Sequence, residues 1–122
     1  MKSYKELIVW QKSIDLCVSV YAITDKFPKS EVYGLVSQIR RSCVSIPSNI
    51  AEGQRRGHTN EYIHFLRMAY GSGAEFETQL YISKRIDYIN THQFDTLNKS
   101  IEEIMKMLNV LIRRLQVVEP RK

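Results

Sequence analysis

Apolar residues recur along most of this chain at intervals of three and four positions, the period of a helix with one buried face. The first such segment predicts a helix over residues 4–26, and its apolar positions are Leu7, Trp10, Ile14, Cys17 and Tyr21. We expect this helix to end before Pro28, because a residue that precedes proline avoids the α region. No segment shows the two-residue alternation that is typical of a half-buried β-strand.

Three further segments show the same period, and the helices that they predict span residues 31–54, 60–89 and 92–117. Ser30, Thr91 and either Thr59 or Asn60 are the expected N-caps, because their side-chain oxygens can accept a hydrogen bond from the first turn. Loops as short as these make consecutive helices antiparallel. The predicted fold is therefore all-α, an antiparallel up-down-up-down four-helix bundle that forms a single domain over residues 1–122.

Proline and glycine interrupt two of these helical patterns. Pro47 removes one backbone hydrogen bond, but the apolar spacing continues on both sides, so we predict one second helix kinked at Pro47. Gly53 and Gly57 are expected to end that helix. Gly71 and Gly73 lie inside the third helix, where each glycine costs about 1 kcal/mol relative to alanine. They predict a point at which another helix comes close.

Polar residues follow the second helix beside its apolar positions, at Gln38, Arg41, Ser45, Ser48 (or Asn49) and Glu52, and the third helix offers Ser72, Glu75 and Gln79. One interpretation is a solvated face, another is a half-buried hydrogen-bond network that joins helices or subunits, and a ligand site is a third. The network's candidate members are Gln38, Arg41, Asn49, Glu52 and Glu75. A buried charge requires a partner, so the network interpretation pairs Arg41 with Glu52 or Glu75.

The composition is that of an ordinary globular domain, with 122 residues of which 43% are hydrophobic and 25% charged. The first residues contain no signal-peptide core, and no window approaches the roughly 18–20 apolar residues of a membrane helix. We therefore expect a cytoplasmic protein with no membrane partner. Cys17 and Cys43 are predicted to be reduced core thiols, with a disulfide or a metal pair as the alternatives.

Residues that could carry catalysis are sparse. His58, His64 and His92 form no zinc-binding pattern, and Ser72 lies between glycines inside a helix and not at a strand-to-helix turn. Glu61 and His64 match half of the di-iron motif of helix bundles, which requires a second copy and two further glutamates. The sequence predicts a protein that is not an enzyme and that has no catalytic residue, metal or cofactor.

The net charge is +5, and much of the basic excess lies in pairs of neighbouring arginines. A basic surface is compatible with a nucleic-acid partner. The candidate phosphate contacts are Arg40, Arg55, Arg56, Arg113 and Arg114. Arg41 is a weaker candidate, because it could instead belong to the internal network. Aromatic residues are not evident among these arginines, so we expect contact with the nucleic-acid backbone without readout of bases.

Two helices carry more apolar residues than one buried face requires. In the first these are Ile8, Val18 and Ile23, and in the fourth they are Met105, Met107, Val110 and Ile112. Either the core stripe is wide, or the additional apolar surface forms contacts between subunits.

Several sequence runs together resemble a bacterial four-helix-bundle family whose founding members are encoded within intervening sequences of 23S ribosomal RNA genes. Cys43 and Phe76 stand where that family's pattern has alanine and leucine, and both replacements suit a core. The resemblance covers residues 4–117, and the runs that carry it are 7–12, 38–42, 45–53 (Ser-Ile-Pro-Ser-Asn-Ile-Ala-Glu-Gly) and 69–80.

The resemblance implies a four-helix subunit that assembles into a ring, most often a pentamer. A related branch contains the accessory proteins of diversity-generating retroelements, which are basic pentamers that bind nucleic acid and a reverse transcriptase. The predicted function is a non-catalytic, ring-forming bundle that binds structured RNA or other nucleic acid through basic patches. The alternative is an oligomeric scaffold that recruits a protein partner and binds no nucleic acid.

Overall fold

A computed structural model describes residues 3–118, and over that range the chain is helical and contains no strand. Helix α1 contacts α2 and α4, and α3 contacts the same two helices, so the four enclose one core. This confirms the predicted all-α four-helix bundle. Residues 1–2 and 119–122 of the predicted domain lie outside the described residues. The four helices are α1 (Ile8–Thr24), α2 (Leu35–Arg55), α3 (Thr59–Arg85) and α4 (Thr91–Val118), with short 3-10 helices at Tyr4–Glu6 and Lys29–Glu31.

The core contains the predicted apolar faces of α2, α3 and α4. Its fully buried members include Ile39, Ile46, Ile50, Leu66, Phe76, Leu80, Ile101, Ile104 and Leu108. These side chains recur at three- and four-residue spacing, so each helix turns one stripe inward. Burial of each such side chain contributes about 1.5–3 kcal/mol to folding, which makes this stripe the main source of stability.

Helix α1 turns a different face inward from the one that the sequence pattern predicts. Its buried residues include Leu16 and Val20, whereas Tyr21 is exposed. The buried face also contains Ser13 and Thr24, whose hydroxyls donate to the carbonyl oxygens of Trp10 and Val20 at 2.8 and 2.7 Å. Because these hydroxyls are satisfied within their own helix, a polar residue can replace an apolar one on the buried face.

Two helix ends lie at other residues than predicted, because local hydrogen bonds determine where the helix begins or ends. Asn90, not Thr91, caps α4, because its Oδ1 accepts the Gln93 amide at 2.8 Å while the Gln93 side chain accepts the Asn90 amide at 2.9 Å. Helix α3 ends at Arg85, before the predicted residue 89, because Asp87 adopts a left-handed conformation with φ 64°. The Tyr88 amide then donates to the Ser83 carbonyl, which completes a Schellman-type end.

Two other helices differ from the prediction at their N-terminal ends. Helix α1 begins at Ile8 and not at residue 4, since Tyr4–Glu6 forms a separate 3-10 turn that Ser3 caps. For α3, the cap position is His58 and not Thr59 or Asn60.

Glycine marks the closest approaches between helices. Gly73 is buried against the Met105 side chain of α4, as predicted, whereas a Cβ atom added at Gly71 would meet nothing within 4 Å. Gly53 does not end α2 but lies buried inside it, where a Cβ atom would stand 2.7 Å from the Cβ of Phe65. The turn after α2 instead contains Gly57, which has a positive φ of 79°.

The two cysteines meet between α1 and α2. Cys43 Sγ lies 3.3 Å from Cys17 Sγ, and both residues are free thiols in the core. The hydrogen bond between them and their burial raise the pKa of the Cys43 thiol, so this sulfur stays protonated at neutral pH. The full up-down-up-down order and the kink at Pro47 remain predictions.

We expect Gly53→Ala to lower the free energy of unfolding by about 1–3 kcal/mol, since an added methyl group would be forced into close packing. The carbonyl oxygen of Tyr62, 3.3 Å from the new Cβ, belongs to the backbone and cannot rotate away. Urea unfolding followed by circular dichroism measures the change.

Gly71→Ala is the matched control. Because its Cβ would meet open space, this variant should be as stable as the wild type or more stable by up to about 1 kcal/mol. Equal losses of stability in both variants would contradict the close contact between α2 and α3 at Gly53.

Candidate nucleic-acid interface

A surface groove of about 960 Å³ lies between the end of α1 and the first half of α2. We call it the α1–α2 groove. Basic and aromatic side chains, the types that contact phosphates and bases in nucleic-acid-binding proteins, occur in it side by side. Its polar and aromatic wall residues include Tyr21, Asp25, Lys29, Tyr33, Arg40 and Arg41.

The turn that carries Lys29 and Tyr33 is held in place by Glu31. One carboxylate oxygen of Glu31 accepts the backbone amide of Leu35 at 3.1 Å, which caps α2 in place of the predicted Ser30. The other oxygen accepts the Tyr88 hydroxyl at 2.8 Å. The amide and then the hydroxyl hold the pKa of Glu31 below its ordinary value, because both stabilise the carboxylate.

Arg40 is fixed in the wall of the groove. Its guanidinium lies 4.3 Å from the ring centroid of Tyr21. Its Nε donates to Thr24 Oγ1 at 2.9 Å, and its Nη2 donates to the Tyr21 carbonyl at 3.3 Å. The sequence predicts Arg40 as a phosphate contact, and in the structure its side chain is half-buried, oriented by these contacts and part of the groove wall.

Exposed aromatic and apolar side chains surround these cations. Tyr33 is 97% exposed, and Tyr21, Val32 and Val44 are also exposed at the groove. The expectation that no aromatic residues accompany the arginines is therefore wrong at this site. The packing of α1 on α2 brings Tyr21 beside Arg40 from 19 positions away in the chain. A tyrosine inside a polar turn, as at Tyr33, was the available signal.

The other predicted arginines lie on separate surfaces. Arg55 is exposed at the end of α2, and Arg113 and Arg114 are exposed on α4. Arg56 is held by Glu52 at 2.9 Å and by Glu61 at 3.6 Å. The hydrogen bond to Glu52 raises the pKa of Arg56, because the carboxylate stabilises the charged guanidinium.

Small polar groups, not charges, join α2 to α3. Ser42 Oγ donates to Gln79 Oε1 at 2.6 Å in the core. Ser45 Oγ and Ser72 Oγ lie 2.8 Å apart, and Asn49 Nδ2 donates to the carbonyl and the hydroxyl of Ser45 at 2.8 and 2.9 Å. A polar network between helices therefore exists, and Asn49 is the predicted member that contributes to it.

The other four members that the sequence proposed for this network, three of them charged, lie at the surface. Gln38, Arg41, Glu52 and Glu75 are all exposed. Within residues 3–118 Arg41 forms no ion pair, and Glu52 binds Arg56 instead of Arg41. The reason is physical: the space between α2 and α3 holds hydroxyls and amides at contact distance, and burial of a charge there would be costly.

A second groove, of about 450 Å³, lies between the start of α1 and the second half of α4. We call it the α1–α4 groove, and its apolar walls include Leu7, Ile8, Met107, Val110 and Leu111. Ile8 is 58% exposed and Val110 43% exposed. Lys106 and Arg114 line the same groove.

Some of the additional apolar residues of α1 and α4 widen the core stripe, and others remain at the surface. Met105 and Ile112 belong to the buried core, so part of the set is a wide core stripe. Ile8, Val18 and Val110 are exposed, whereas Ile23 and Met107 are partly buried. The exposed members are therefore the ones available for contacts between subunits.

Within the described residues, no cluster of histidine, cysteine or carboxylate side chains could hold a metal ion. Glu61 binds Arg56, and the His64 ring packs edge-on to Phe65 with centroids 5.6 Å apart. Over residues 3–118, none of the helices combines the length and the apolar character needed to cross a membrane.

The chain is similar to proteins of one family. The model of a family described as 23S rRNA-intervening sequence protein matches residues 5–110, a range that contains the α1–α2 groove but ends before Arg113. A crystal structure of a protein of unknown function from the S23 ribosomal protein family of Bacteroides thetaiotaomicron is 28% identical. Its TM-score is 0.78, and the match covers 86% of this chain and 98% of that one. No curated protein sequence matches the chain.

The Glu31 contacts predict a dependence of stability on pH. Because the folded-state pKa of Glu31 lies below the unfolded-state value, its stabilisation is complete above about pH 4.3 and is lost as pH falls through the folded-state pKa. We expect the stability difference between wild type and Glu31→Gln to shrink as pH falls below about 4. Thermal unfolding from pH 3 to 7 measures this.

Glu75→Gln, at an exposed position of α3, is the control for the change of charge. If the difference between wild type and Glu31→Gln were constant across that pH range, the ionised carboxylate would not be what holds the turn.

Proposed function

This chain belongs to the 23S rRNA-intervening sequence protein family, and we propose that it is a non-catalytic, cytoplasmic, ring-forming protein that binds structured RNA or other nucleic acid through basic surface patches. One observation carries the proposal: cations and aromatic rings converge on the α1–α2 groove. The negative charge of phosphates complements the cations of this surface, and the flat faces of bases complement its aromatic rings.

The charges of the groove favour an anionic partner. Lys29, Arg40 and Arg41 line it against a single carboxylate, Asp25. Arg41 is exposed and has no ion pair among the described residues, so its guanidinium is available for a phosphate. Arginine matches phosphate geometry with two parallel hydrogen bonds, which favours this assignment. The sequence leaves Arg41 either in the internal network or on the binding surface. We assign it to the binding surface.

Further phosphate contacts are assigned to Arg55 and Arg113, which are exposed and line neither groove, whereas Arg114 lines the α1–α4 groove. Arg56 is excluded, because Glu52 and Glu61 already neutralise it. The net charge of +5 per subunit would be multiplied in a ring, which strengthens attraction to nucleic acid at low salt.

We place the contact between subunits at the α1–α4 groove. Apolar surface that faces water is unfavourable by about 25 cal/mol per Å², and Ile8 and Val110 both expose such surface there. A head-to-tail contact, in which this groove meets a different surface of the next subunit, closes into a ring when the rotation from one subunit to the next divides a full turn. The number of five subunits comes from the family resemblance.

The alternative function is a scaffold that recruits a protein. It is favoured by a separate apolar surface at the end of α3, where Tyr81, Ile82 and Ile86 are exposed beside Arg85. Such a patch suits a protein partner better than a nucleic acid. The two functions use different surfaces, so they can be tested separately.

We expect Arg41→Ala to weaken binding of all nucleic-acid sequences alike and to lower the slope of log K against log salt by about one for each Arg41 engaged. The measurement is fluorescence anisotropy of a labelled structured RNA and a matched DNA duplex from about 50 to 200 mM salt. Lys99→Ala removes one exposed charge that lines neither groove and should change neither affinity nor slope.

No binding by the wild-type protein at the lowest salt would contradict the nucleic-acid function. In that case a pull-down with an Ile82→Asp variant beside the wild type would test the scaffold function, since this change disrupts the apolar surface of α3.

For the ring, we expect Val110→Asp to convert the assembly to monomers, because it introduces a charge into the apolar α1–α4 groove. Sedimentation velocity at micromolar protein measures the mass. Met68→Asp is the control, because Met68 is exposed on α3 and lines neither groove. A monomeric wild type would overturn the ring, and an intact Val110→Asp assembly would overturn this interface.

A further inference from the structure

We propose that the α1–α2 groove binds an unpaired nucleotide, with its base stacked on Tyr33 and on the Arg40 plane and its flanking phosphates on Lys29 and Arg41. This inference rests on the proposed function and names the ligand of that site. The ligand is an unpaired stretch within a nucleic acid and not a continuous duplex.

Tyr33 presents a complete ring to solvent. At 97% exposure it packs on nothing in the subunit, so the fold itself does not account for a large aromatic residue there. The turn below it is not loose: Glu31 binds the first turn of α2 and Tyr88 at the same time. A fixed backbone that carries an exposed ring makes a stacking surface at small entropic cost.

Arg40 supplies the second flat surface. The central carbon of its guanidinium lies over the Tyr21 ring, and hydrogen bonds to Thr24 Oγ1 and to the Tyr21 carbonyl hold the group in that orientation. Nucleobases stack on arginine planes as they do on aromatic rings. Because Arg40 is held before the ligand arrives, little side-chain freedom is lost on binding.

The arrangement selects unpaired bases. In a duplex the faces of the bases are covered by their neighbours, so Tyr33 could reach a base only in a loop, a bulge or a single strand. The groove volume of about 960 Å³ lies within the range of ligand sites, which leaves room for a base and its sugar. Stacking accepts every base, so we expect little sequence preference.

A protein ligand fits this groove less well. Lys29, Arg40 and Arg41 bring three cations to a wall that also contains aromatic rings, whereas the α1–α4 groove has apolar walls without an aromatic ring. Cations and rings together match the alternation of phosphates and bases along a strand.

The test compares four labelled ligands: an RNA hairpin with an eight-nucleotide loop, a fully paired RNA duplex of the same composition, and the loop sequence alone as RNA and as DNA. We expect Tyr33→Ala to weaken binding of the hairpin and both single strands by roughly 5–150-fold, and the duplex by less than about twofold. The dependence on salt should stay unchanged, because no charge is removed.

Tyr33→Phe is the matched control, since it keeps the ring and should bind as the wild type does. Arg41→Ala should weaken all four ligands and reduce the dependence on salt. An unchanged melting temperature is expected for Tyr33→Ala, because its ring contacts nothing in the fold. Equal affinities of RNA and DNA single strands would place recognition on bases and phosphates, whereas a preference for RNA would add the 2′-hydroxyl to the same site.

Two outcomes separate this inference from the proposed function. If hairpin and duplex bind equally and Tyr33→Ala has no effect, while Arg41→Ala still weakens both, base stacking is overturned and the nucleic-acid function stands. If none of the four ligands binds at about 50 mM salt, both are overturned.

Discussion

At Gly53 the backbones of α2 and α3 come so close that one methyl group would meet the Cβ of Phe65. Two serine pairings, Ser42 with Gln79 and Ser45 with Ser72, extend the same contact along both helices. Small and short polar residues are required along this line, because larger or charged ones would separate the helices. Helix α2 also contacts α1, so its position against α3 determines where the α1–α2 groove opens.

The fold was predictable where local pattern and tertiary packing agree. The periodicity of α2 identified its core residues correctly, whereas α4 buries Met105 and Ile112 in addition to its predicted stripe. Helix α1 is apolar on several sides, and the pattern therefore placed Tyr21 inside although it lies outside. Its buried face includes Ser13 and Thr24, which no hydrophobic periodicity can indicate, because their hydroxyls are satisfied by the helix's own carbonyls.

The candidate site was predictable in its charge but not in its geometry. Arginine pairs are visible in a sequence, yet which of them are available depends on partners that folding selects. Arg56 forms ion pairs with two carboxylates, and Arg40 contacts the Tyr21 ring and donates a hydrogen bond to Thr24. The aromatic part of the site was missed because its rings come from two elements that meet only after α1 packs on α2.

Glu31 and Tyr88 stand 57 positions apart in the chain, and a hydrogen bond of 2.8 Å joins them. The same carboxylate caps α2, so the turn before α2 and the loop between α3 and α4 share one anchoring group. Local opening of either segment releases the other, which makes them a single cooperative unit in hydrogen exchange. A ligand that holds the turn before α2 closed would therefore slow exchange in residues 86–90, although these residues do not line the groove.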